Sequence, residues 1–153
     1  MKLFEKKIII YCPVDGDVKD ISEVNDEMFS TKLMGDGFAV VPKNQNIYSP
    51  VKGKVVSVFP TKHAISIKAK NSQDVLIHIG VDTVELNGEG FHINVKEGDS
   101  IDYNTKLGTV DFDFIKNSGK EIDVIVVFPE SKNNELIISD GTHQCKEEIG
   151  FLK

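Results

Sequence analysis

Three consecutive stretches decide the fold: Ala64-Ile65-Ser66-Ile67-Lys68-Ala69, the polar break Lys70-Asn71-Ser72-Gln73-Asp74, and Val75-Leu76-Ile77-His78-Ile79-Gly80-Val81. In the first, apolar and polar residues alternate, the mark of a half-buried strand. The third is short, β-branched and bounded by turn residues, and reads as a second strand. Two strands about a polar turn make an antiparallel hairpin. With the turn centred near Ser72, Ser66 falls opposite His78, and His63 lies about one diagonal step away. Alternation sets Leu76, His78 and Gly80 on one face and Ile77, Ile79 and Val81 on the other. The second face reads as core. The first ends in Gly, which leaves space beside the imidazole.

The same texture continues outward. Residues 8–11, 38–41, 51–59 and 122–128 read as further strands, and residues 23–33 and 111–116 as short helical turns. Breakers are dense, among them Gly35-Asp36-Gly37, Asn87-Gly88 and Gly98-Asp99. The expected class is all-β: an antiparallel β-sandwich, barrel-like, with short helical turns, and one domain over residues 1–153. One pattern occurs twice. Pro13-Val14-Asp15-Gly16-Asp17-Val18 and Pro50-Val51-Lys52-Gly53-Lys54-Val55 share Pro-Val-x-Gly-x-Val. Pro opens a strand where no ladder donor is needed and Gly permits a tight bend. The repeat is either turn chemistry used twice by chance or two equivalent corners of a pseudo-symmetric core.

Acidic residues outnumber basic ones, 24 to 18, for a formal charge of -6. That balance argues against nucleic acid and anionic membrane as partners. Every basic residue is Lys, so any phosphate the protein handled would have to be held by His, Lys, hydroxyls, backbone N–H or a partner's Arg. Cys12 and Cys145 are too few for a disulfide framework and read as idle thiols. Lys6-Lys7 precede Ile8-Ile9-Ile10, an apolar run too short for a signal peptide or a spanning helix. The expectation is a cytoplasmic protein without direct membrane insertion.

Of the four histidines, His63 and His78 are drawn together by the hairpin, with Ser66 beside them and Asp82 and Glu85 following on the same edge. Three chemistries fit two converging imidazoles. His78-x3-Asp82 has a metallopeptidase spacing, but that class needs a further His-x-His, which the chain lacks. Nucleophilic phosphoryl carriage by one ring with charge stabilisation by the other is the second. A structural pair is the third. Spacing alone leaves all three open. His92 and His143 read as surface residues.

The wider string is more specific. Residues 74–91, DVLIHIGVDTVELNGEGF, resemble the phosphorylation signature of the glucose-family EIIA proteins of the sugar phosphotransferase system. Residues 59–67, FPTKHAISI, resemble that family's second histidine segment, and Met34-Gly35-Asp36-Gly37-Phe38 and both Pro-Val-x-Gly segments fit in order. The resemblance covers residues 8 to 128 well and the tail loosely. It implies an antiparallel β-sandwich and a monomer that needs no cofactor and no metal. It implies that the protein takes a phosphoryl group from the carrier HPr and passes it to a Cys of an EIIB domain. His78 lies at the phosphorylated position and His63 at the supporting one. Thr61 lies where a hydroxyl buttresses His63, and Gly80 where a backbone carbonyl fixes the His78 ring. An apolar docking ring would comprise Met28, Phe29, Met34, Phe59, Leu76 and Val84, with Asp26, Asp82 and Glu85 at its rim. The competing reading is a non-catalytic regulatory module on the same fold.

Overall fold

A computed structural model describes residues 7–131 and 135–153. Lys6 of the Lys6-Lys7 pair lies outside them. The strands in chain order are β1 (Ile8–Tyr11), β2 (Gly16–Asp20), β3 (Asp36–Pro42), β4 (Asn46–Tyr48), β5 (Gly53–Val58), β6 (Ala64–Ala69) and β7 (Asp74–Ile79). There follow β8 (Phe91–Ile93), β9 (Ser100–Ile101), β10 (Lys106–Val110), β11 (Val124–Phe128), β12 (Leu136–Ile138), β13 (Gly141–His143) and β14 (Glu148–Leu152). The helices are short: α1 (Glu27–Ser30), α2 (Phe112–Asn117) and two 3₁₀ turns at Ile21–Glu23 and Thr83–Leu86. Asp26 and Asp111 cap α1 and α2 by accepting backbone N–H bonds, from Met28 at 2.8 Å and Phe114 at 3.0 Å.

One eight-stranded sheet runs in the order β13-β2-β3-β11-β7-β6-β5-β9, and two three-stranded sheets run β1-β14-β12 and β4-β10-β8. Their pairings are antiparallel. Apolar residues of all three sheets close one large core, so the all-β sandwich is the observed architecture. Strand β11 is buried along its whole length. Its Val124, Val126 and Phe128 enter the large core, while Ile125 and Val127 enter a smaller one on the opposite face. The smaller core is roofed by residues 21–34, contributing Ile21, Val24, Phe29 and Met34.

The repeated Pro-Val-x-Gly segments are two equivalent corners. Tyr11 N–H donates to the Pro50 carbonyl at 2.8 Å, and Tyr48 N–H donates to the Pro13 carbonyl at 2.7 Å. The donor stands two residues before each Pro, so the corners exchange the same bond. Both glycines lie where a side chain cannot. A Cβ on Gly16 would sit 2.1 Å from the Val41 carbonyl oxygen and one on Gly53 2.2 Å from that of Lys68.

The hairpin register differs from the expected one. Ala64 faces His78 and Ser66 faces Leu76, while Lys68 faces Asp74. Asp74 therefore belongs to the strand and the turn centres one residue earlier. The Lys68 Nζ–Asp74 Oδ1 pair at 2.5 Å closes the hairpin at that point. The strand faces are otherwise as expected, except that Val81 joins the smaller core with Ile125 and Leu76. Gly80, at φ +75°, turns the chain before it.

Candidate functional site

His78 is the fifth residue of β7, half-buried, between Ala64 on β6 and Ile125 on β11. Its Nδ1 lies 2.7 Å from the Gly80 carbonyl oxygen. A carbonyl only accepts, so Nδ1 carries the proton and the Nε2 lone pair is free. The positive φ of Gly80 turns that carbonyl back toward the ring, and only Gly fits. A Cβ there would meet Thr83 Cγ2 at 2.5 Å and the Glu121 carbonyl at 2.8 Å. Gly80 is itself held: its N–H donates to the Asp123 carbonyl at 2.7 Å.

His63 arrives from the turn between β5 and β6. Lys62 there has φ +60° and donates its N–H to the Phe59 carbonyl at 2.7 Å, which curls His63 toward β7. The His63 carbonyl in turn accepts the Ile79 N–H at 2.7 Å. Thr61 Oγ1 and His63 Nδ1 are 2.6 Å apart. The two imidazoles meet edge to face, with ring centroids 5.0 Å apart. Phe29 stands 5.0 Å from His78 and Phe59 5.6 Å from His63. Thus His63, His78, Thr61 and Gly80 are brought together, while Ser66 is displaced by the register to face Leu76.

Burial pushes His63 down to about 4, with the nearby His78 as the lesser cause. His78 is also held below the usual imidazole value. Its burial outweighs the Gly80 carbonyl and the Asp26 and Asp82 carboxylates, which favour the proton. Near neutral pH both rings are therefore uncharged. The unfolded chain protonates His63 as pH falls through about 6.5, whereas the folded chain leaves it neutral until about 4. Stability is therefore expected to fall on acidification across that window and to be unaffected by this ring above it. His63 and His78 act in the same direction, each costing stability as the unfolded chain takes up a proton that the buried ring refuses. Urea midpoints from pH 4 to 7.5 check this. His63→Gln should flatten the profile, and an unchanged slope would show that the ring is not desolvated.

The expected apolar ring divides. Met28, Phe59 and Val84 are exposed, at 48%, 39% and 49%. Phe29 is buried at 5% exposure and belongs to the smaller core, with Met34 and Leu76 packed partly against it. Phe29 is thus a support beneath His78 and not a free docking residue. Leu33, 72% exposed, lies beside Met34 and has no counterpart in the expected ring. At the rim, Asp26 caps α1 and still bears on His78. Asp82 is exposed, with φ +60° and no side-chain capping bond. Glu85 pairs with Lys120, which partly neutralises it.

His92 is exposed, as expected, but His143 is engaged with Glu147 at 2.6 Å. Cys12 is fully buried and its thiol is pushed up to about 12 by burial. Among the described residues no group of three or more His, Cys, Asp or Glu is placed to hold a metal ion, and no helix is long and apolar enough to cross a membrane. Two surface clefts of about 430 and 520 Å³ share Lys52 and Lys70, and neither histidine lines them.

Residues 8–134 match the model of the phosphoenolpyruvate-dependent sugar phosphotransferase system, EIIA 1 family. The glucose-specific EIIA component of Staphylococcus epidermidis is 40% identical over 136 residues, 89% of this chain and 82% of that one. Its counterpart in Staphylococcus aureus is 42% identical over 121 residues, 79% and 73% of the two chains. The solved structure of the glucose permease IIA from Mycoplasma capricolum superposes with a TM-score of 0.92 at 36% identity, over the whole of both chains. The chain belongs to the EIIA family of the phosphoenolpyruvate-dependent sugar phosphotransferase system.

Proposed function

We propose that the protein is a cytoplasmic, monomeric phosphocarrier, folded as one domain over residues 1–153, that takes a phosphoryl group from phospho-HPr onto His78 and passes it to a Cys of an EIIB domain. The observation that carries this is the 2.7 Å bond from His78 Nδ1 to the Gly80 carbonyl beside a second neutral imidazole. Fixing Nδ1–H leaves Nε2 as the nucleophile. Its lone pair attacks phosphorus as the P–N bond of the incoming phosphohistidine breaks, and the departing imidazole keeps those electrons. In the second half the EIIB thiolate attacks phosphorus and His78 Nε2 departs. With the Thr61 hydroxyl donating to Nδ1, His63 carries its proton on Nε2 and can donate it to a phosphoryl oxygen. Phosphoryl transfer depends chiefly on positioning and electrostatics, which this small constellation supplies.

The test is incubation with phosphoenolpyruvate, enzyme I and HPr, followed by intact mass. One phosphoryl group, labile to acid and stable to base, is the expected result. No mass gain would select the regulatory binding module.

Met28, Phe59 and Val84, the exposed members of the expected apolar ring, form the docking face for both partners. Phe59→Asp should weaken HPr and EIIB binding at least tenfold with little change in melting temperature, since the side chain is 39% exposed. A large loss of stability with normal binding would make it core. Asp26 and Asp82 receive basic groups of the donor, and such steering is screened over about 8 Å at physiological salt. Association with HPr should slow as salt rises, less so in Asp82→Asn. An association rate raised by Asp82→Asn would mean that the carboxylate repels the phosphoryl group.

A further inference from the structure

We infer that Lys19 and Asp123 form a positioning pair that holds His78 in its Nδ1–H form by fixing the backbone of Gly80. The inference rests on the carrier reading of His78. Lys19 faces Ala39, Ala39 faces Ile125, and Ile125 faces His78, so one register row crosses four strands with these side chains on one face. Lys19 and His78 end that row three strand spacings apart, about 14 Å. The residue between Lys19 and β11 is a fully buried Ala. Its methyl leaves room for the Lys stem to cross β3. Lys19 Nζ then meets Asp123 Oδ2 at 2.9 Å, with the side chains 24% and 9% exposed.

Asp123 is the residue before β11, and the segment leading to it holds the turn that serves His78. The Asp123 carbonyl accepts from Gly80 N–H at 2.7 Å, and the Glu121 carbonyl accepts from Val81 N–H at 3.2 Å. Gly80 then presents its own carbonyl to His78 Nδ1. Lys19 therefore reaches the ring through four links: ion pair, Asp123 backbone, Gly80 backbone and Nδ1. The charges that bear on the ring directly are Asp26 and Asp82, and neither member of this pair is among them. The effect is geometric. A carboxylate this buried is costly without its partner, whereas an apolar pair of similar volume commonly substitutes for a buried ion pair without loss. The charges are thus dispensable and the anchorage is not.

The experiment reads the His78 ring ¹⁵N shifts in unphosphorylated protein, for Asp123→Asn, Lys19→Met and the double variant Lys19→Met/Asp123→Leu. In each single variant the Nδ1 and Nε2 signals should converge as the two tautomers mix. The rate of phosphoryl acceptance should fall on the order of tenfold or more. The apolar double variant should restore both to near the parent. Folded single variants, with parent-like amide dispersion and unchanged His78 shifts, would overturn the inference. A loss of stability without a change in the ring would do the same, since a purely structural pair moves only the former. The tautomer is read with no donor present. A parent protein that took no phosphoryl group would therefore count against the carrier reading alone, and the shifts decide the positioning.

Discussion

His78→Ala is expected to accept no phosphoryl group from phospho-HPr while remaining folded. The loss should be complete because the variant removes the attacking atom itself and no other side chain stands in its place. His63 shares the site, but its Nδ1 is taken up by Thr61, and the role proposed for it is donation. The fold should survive because Ile77 and Ile79, the β7 neighbours of His78, are the residues that enter the large core. The ring itself is half-buried, against Phe29 and His63. Intact mass after incubation with the complete donor system decides the matter. A normal yield of phosphorylated His78→Ala would place the nucleophile elsewhere.

His63→Ala should still be phosphorylated, but transfer in both directions should slow by about 10²-fold or more, the usual consequence of losing one organised donor to developing charge. His63→Gln, whose amide can still donate, should recover part of the rate. Rapid-quench measurement of the two half-reactions separates the cases. A His63→Ala rate equal to the parent would mean that the 5.0 Å approach of the rings has no part in transfer. The Ala variant also leaves the Thr61 hydroxyl without its ring partner, so a modest loss of stability should accompany the kinetic effect.

The two histidines are legible in the sequence because β6 and β7 declare themselves by alternation and share a short turn. The register is not. The string Lys70 to Asp74 is polar throughout, and nothing in its composition says that Asp74 is already a strand residue paired with Lys68. The one-residue shift in the turn centre moves Ala64 into the place expected for Ser66. Phe29 misleads for a different reason. Helix α1 has only four residues, too few for a periodic pattern to reveal which side is buried. The short strands β4, β8 and β9 carry two or three residues each and leave no pattern either. Asp123 does leave a mark, a carboxylate inside the apolar run of residues 122–128. Its partner Lys19 lies two strands away across the sheet, a relation that exists only in the fold.

The reciprocal bonds between Tyr11 and Pro50 and between Tyr48 and Pro13 also bear on how the chain reaches this state. Each joins residues separated by roughly 40 positions, and β1 pairs with β14 at the far end of the chain. The β5–β6 and β6–β7 hairpins can close early and locally. Neither corner can be completed by its own half, because each supplies the donor the other lacks. Such non-local closure places the protein among domains that fold in milliseconds to seconds. Two of its three tyrosines, Tyr11 and Tyr48, are the corner donors, and there is no Trp. Tyr103, the third, stacks on Tyr11 at 4.5 Å, so intrinsic emission during refolding is expected to follow the closing of the corners and to be nearly blind to the hairpin that carries the histidines.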